Sequence, residues 1–215
     1  MPLAIGLALS PFAITTGIVL LLGDRGRLKT AFFALGWLLA ICAIAAVALV
    51  IVESAAAVDD EATEAGVDIV QLLIAALFLV LALVAWTKRP RGEEPAKSKL
   101  LDRLDGLSIF GALGIGVAQG LLVIKNLPLA LGAGARFGEA GLTGSTAVVA
   151  LAVFSVVASL GVLVPLGFAV VAGPRLAPAL GATRTWIEAN MTAITIVILL
   201  ILGGYFLGQG VGILG

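Results

Sequence analysis

Apolar residues in this chain come in long unbroken runs, separated by short polar stretches. The run "PLAIGLALSPFAITTGIVLLLG" opens it, and five more follow. Roughly 20 apolar residues cross a bilayer. That ruler predicts six helices, at about 3–22, 29–52, 67–87, 107–135, 142–173 and 185–208. The fourth and fifth are overlong and are expected to be tilted, bent or broken. Pro128 and Pro165 mark expected break points, because proline removes a donor and clashes with the preceding turn. The alternation of a membrane β-barrel is absent. The expected fold class is an all-α integral membrane protein.

Composition sharpens this reading. Of 215 residues, 61% are hydrophobic and 12% charged, against about 45–50% and about 25% in soluble domains. With no histidine, the commonest metal ligand is missing. The single cysteine, Cys42, rules out an intrachain disulfide. No cofactor or metal is expected, and nothing points to nucleic acid. The N-terminus lacks a basic region, so the first run reads as a retained span rather than a cleaved signal.

Charge orders the loops. Eleven of the 13 basic residues fall in "GDRGRLK", "TKRPRGEEPAKSKLLDRLDG" and "GPRLAPALGATRTW". The loops of the other side are acidic apart from Arg136. The positive-inside rule assigns the basic loops to the cytoplasm of a multi-pass plasma-membrane protein, with both termini extracytoplasmic. Trp37, Trp86 and Trp186 lie where interfacial anchors are expected.

The polar segment 88–106, with Pro90 and Pro95, reads as a cytoplasmic linker between a first three-helix repeat (1–87) and a second (107–215). Three helices per half requires the halves to be inverted. A shift of 115 residues lays Gly17 over Gly132, and Gly23-Asp24-Arg25-Gly26 over Gly138-Glu139-Ala140-Gly141. The same shift lays Ser10-Pro11 over Lys125-Asn126. Inverted-repeat transporters place their sites near the midplane, at matched broken helices.

The candidate site follows from cost. Lys125 sits in "GLLVIKNLPLALGAG", where a lysine costs about 2.5–3.5 kcal/mol at a helix centre. Its expected partners are Glu188, backbone carbonyls freed by a proline, or an anionic substrate. The substrate-binding candidates are Lys125, Asn126, Ser10, Pro11, Glu188, Asn190 and Gln119, with Pro11 and Pro128 as hinges. Thr15 and Thr16 flank Pro11 and can serve freed backbone groups. The alternative roles are structural: a lysine holding a break together, and amides that join helices.

The motifs "LSPFAI", "AFFALGW", "KNLPLALGAGA" and the terminal "WIEANMTAITIVILLILGGYFLGQGVG" resemble the GAP family, the peptidoglycolipid- or sulfolipid-addressing proteins of the LysE superfamily. That family carries an asparagine-proline-lysine-asparagine-leucine type motif in its fourth helix. Here Lys125-Asn126-Leu127 keeps the second half, while the Asn-Pro half is missing and Pro128 lies downstream. The resemblance implies export or flipping of a lipid, glycolipid or other anionic amphiphile toward the cell envelope. The alternative is a non-transporting subunit that scaffolds a lipid-export machine. Membrane lipids are the expected partners, with a homodimer or export machinery left open. No nucleophile, base and metal constellation appears, so an enzyme is not expected.

Overall fold

The computed structural model describes residues 2–55, 60–89, 106–123 and 125–212, without the side chains of 55 and 60–70. Most of the 88–106 linker, part of the acidic loop after Glu53, and Ile124 lie outside these residues. The helices are α1 (Pro2–Ala8), α2 (Pro11–Leu22), α3 (Gly26–Ala55), α4 (Asp60–Thr87), α5 (Ile109–Leu122), α6 (Asn126–Glu139), α7 (Gly144–Ala158), α8 (Leu160–Ala172) and α9 (Ala177–Gly210), with a 3₁₀ turn over Gly173–Leu176. No strand occurs among the described residues.

By length and composition, two stretches can each cross a membrane, Gly26–Ser54 and Leu160–Gly210. Two bent pairs, α1–α2 at 45° and α5–α6 at 75°, raise the number to four if each is one broken span. The 51-residue stretch is not one rod. A straight helix of that length would reach about 76 Å. Yet Val162 packs on Gly17 while Leu180 and Ile187 cluster with Ile18. The chain therefore reverses at Gly173, whose φ of 63° suits a residue without a Cβ. Helices α8 and α9 flank α2, running in opposite directions.

Each break has a local cause. Pro11 stands at the first position of α2, where its missing N–H costs no helical bond. Pro128 stands in the first turn of α6, so the break is not at the proline itself. It falls between Leu122, which ends α5, and Asn126, which opens α6. Pro165 lies inside α8, and the interruption falls upstream at Ser159.

Close packing comes from small residues, as expected where lipid removes the hydrophobic drive between helices. Along α3, Gly116 abuts the Phe33 carbonyl, and Gly36 abuts the Leu113 carbonyl. Further on, Gly134 abuts the Ala45 carbonyl. The α3 backbone thus touches both α5 and α6. Phe78 and Phe206, with ring centroids 5.8 Å apart, join α4 to α9. Trp37 corrects the anchor expectation. It is 1% exposed in this core, because the glycines of α5 let the helices close over it. Trp86 and Trp186, at 53% and 61% exposed, keep positions suited to anchors.

Candidate functional site: a buried lysine where two broken helices meet

The site begins at the first break. In an unbroken helix Ser10 N–H would donate to the Gly6 carbonyl, and residue 11 to Leu7. Pro11 has no N–H to give. Ser10 N–H instead donates to the Leu7 carbonyl at 3.1 Å, and the Gly6 carbonyl loses its helical donor. A buried carbonyl without a donor costs about 1–3 kcal/mol.

The second break supplies the missing donor. Lys125, the N-cap residue of α6, extends its Nζ to the Gly6 carbonyl at 3.0 Å. Lys125 is 8% exposed. Neither ion pair among the described residues involves it. Its ammonium has three donors, and one protein acceptor is seen. Ser10 and Lys125, the N-caps of α2 and α6, are 115 residues apart, the spacing of the sequence repeat. The helix before the first break, α1, and the helix after the second, α6, lie side by side and antiparallel: Leu129 lies beside Gly6, and Gly132 beside Leu3.

Beside this contact, side-chain amides link the neighbouring helices. Asn126 is fully buried, and its Nδ2 donates to the Gln119 carbonyl at 3.0 Å, stitching α6 to α5. Gln119 Nε2 donates to Thr16 Oγ1 at 2.9 Å, joining α5 to α2. Several oxygens have no partner among the described residues: Ser10 Oγ, Thr15 Oγ1, Gln119 Oε1 and Asn126 Oδ1, together with Ser155 Oγ on α7. Unsatisfied buried polar atoms are few in native proteins and call for an explanation. Four of them lie on α2, α5 and α6 or at their N-caps, the elements joined around a cation with spare donors.

Of the seven residues singled out from sequence, Ser10, Pro11, Gln119, Lys125 and Asn126 belong to this cluster. Glu188 and Asn190 do not. Glu188 accepts from Arg184 Nε at 2.8 Å, one turn away on α9. Gly6 sits against Leu202, and Glu188 lies 14 residues before that contact, about 21 Å along the helix. Asn190 Nδ2 donates to the Trp186 carbonyl. Sequence reasoning left Gly6 unmarked, although it had a readable signal, five residues before a proline.

These features define a helical membrane protein with a buried, incompletely partnered cation where two interrupted helices face each other. Comparison with protein families then places it. The chain belongs to the sulfolipid-1-addressing protein (Sap) family, whose model matches residues 1–212. Comparisons with curated proteins and with solved structures returned no match.

Proposed function

We propose that this protein is a carrier that moves an anionic lipid or glycolipid across the membrane, with Lys125 as the counter-ion for its head group. The observation that carries this reading is the Lys125 ammonium, which among the described residues is buried without a carboxylate and bonded only to a carbonyl that Pro11 has freed. A sulfate, phosphate or carboxylate would neutralise it and offer acceptors to its spare donors. The family name, which speaks of a sulfolipid, supports a lipid substrate.

The architecture we infer has six crossings, each broken pair counting as one and α7–α8 as the fifth. The basic loops face the cytoplasm and the termini lie outside. The opposed directions of α1 and α6, and the 115-residue spacing of the N-caps Ser10 and Lys125, support two inverted halves. Such an arrangement agrees with placement in the LysE superfamily. Pro11 and the Pro128 turn then act as hinges.

A second reading has its own support. The only buried charged residues among those described are Lys29 and Lys125, so no carboxylate relay for ion coupling accompanies the site. The protein would then be a subunit of a larger lipid-export assembly.

Reconstitution separates these readings. Lys125→Met removes the burial cost of about 2.5–3.5 kcal/mol and leaves the Gly6 carbonyl unpaired at about 1–3 kcal/mol. Its stability should match or exceed that of the parent. Flux of a labelled anionic lipid in liposomes should be lost in Lys125→Met and partly kept in Lys125→Arg. Parent-like flux in Lys125→Met would end the counter-ion proposal. An inert parent protein that gains flux with a partner would establish the second reading.

A further inference from the structure

A second feature lies at the other end of α2. The α2–α3 turn and the α8–α9 reversal come together around a groove of about 520 Å³. Leu21, Leu22 and Leu28 line it with Ala169 and Leu180, and so do Arg25 and Arg27. The Arg27 guanidinium lies against the Gly173 turn, with Nη2 3.5 Å from where a Cβ would stand. Neither arginine has an ion pair among the described residues. Asp24 belongs to the same turn but is exposed and does not line the groove. Arg25 has a φ of 52°, the one positive value at a non-glycine among the described residues.

We propose that this groove seats an anionic membrane lipid, with its head group on Arg25 and Arg27 and its upper acyl chains on the leucine wall. Two features of the groove argue for a lipid over a soluble anion. The guanidiniums offer planar, paired donors that match phosphate or sulfate oxygens. The wall beside them is apolar, and only an amphiphile satisfies both. The groove sits about 15 Å along α2 from Pro11, at the basic end of the bundle, where anionic lipids accumulate. It is distinct from the Lys125 site and does not depend on transport.

The test uses purified protein in a neutral maltoside detergent. Binding of short-chain phosphatidylglycerol, phosphatidylcholine of the same chain length, and inorganic phosphate is measured by calorimetry. Each arginine is worth about 1 kcal/mol near such a surface, about fivefold in Kd. The anionic lipid should therefore bind about 30-fold tighter than the zwitterionic one. Arg25→Gly and Arg27→Gln should each lose about fivefold, while Arg175→Gln, outside the lining, should bind like the parent. Arg25→Gly suits the positive φ, so its fold is secure. Equal binding of the two lipids would overturn the proposal, as would parent-like binding by both groove variants. Inorganic phosphate binding as tightly as the lipid would show an ion site and also overturn it.

Discussion

Two glycines of α5, two positions apart, offer a controlled measurement of how this bundle is held together. A Cβ at Gly114 would meet nothing within 4 Å, whereas one at Gly116 would press on the Phe33 carbonyl and lie 2.9 Å from Trp37 N. Both positions are inside the same helix, so replacement by alanine brings the same propensity gain, about 0.8–1.0 kcal/mol. That term cancels in the comparison. What remains is overpacking, about 1–3 kcal/mol, toward the upper end because the opposing atoms are backbone and cannot rotate away. Gly114→Ala should therefore be slightly more stable than the parent, and Gly116→Ala about 1–3 kcal/mol less stable than Gly114→Ala. For a chain of this size each kcal/mol moves the midpoint by about 2–4 °C. Thermal unfolding of the two variants in one detergent, read by tryptophan fluorescence, makes the comparison. Equal midpoints would refute the claim that backbone contact between α3 and α5 organises the core.

Glu188→Gln should change stability by no more than about 0.5 kcal/mol, since it removes a partly exposed i,i+4 pair with Arg184. A loss of about 3–5 kcal/mol in chemical denaturation would mean that Glu188 compensates a buried charge instead. Topology is tested by cysteine labelling of intact cells, in a Cys42→Ala background. An impermeant reagent should tag cysteines placed in 58–64 and miss Lys97→Cys; the reverse pattern would overturn the assignment of the basic loops to the cytoplasm.

Sequence by itself determined the helical membrane class. Runs of about 20 apolar residues have few other homes, because a backbone in lipid must satisfy its own hydrogen bonds. Pro11 marked the start of a helix, since the missing N–H is a property of the residue alone, whereas Pro128 and Pro165 stand three and six residues beyond Lys125 and Ser159, where the helices are interrupted. The cost of burying a charge drew attention to Lys125 before any fold was known. Tertiary structure decided the rest. Glu188 and the freed carbonyl were equally available partners on paper. Their separation rests on the packing of α1 against α9, where Gly6 meets Leu202, and no local pattern encodes that crossing. Trp37 followed the same logic in reverse. Its place near a helix end suggested an interfacial anchor, but glycines some 80 positions away let α5 approach and bury it. The groove around Arg25 and Arg27 was equally hidden, because it forms only when the chain reverses at Gly173 and brings two distant turns together. Local chemistry fixes which groups need partners, and long-range packing fixes which partners they meet.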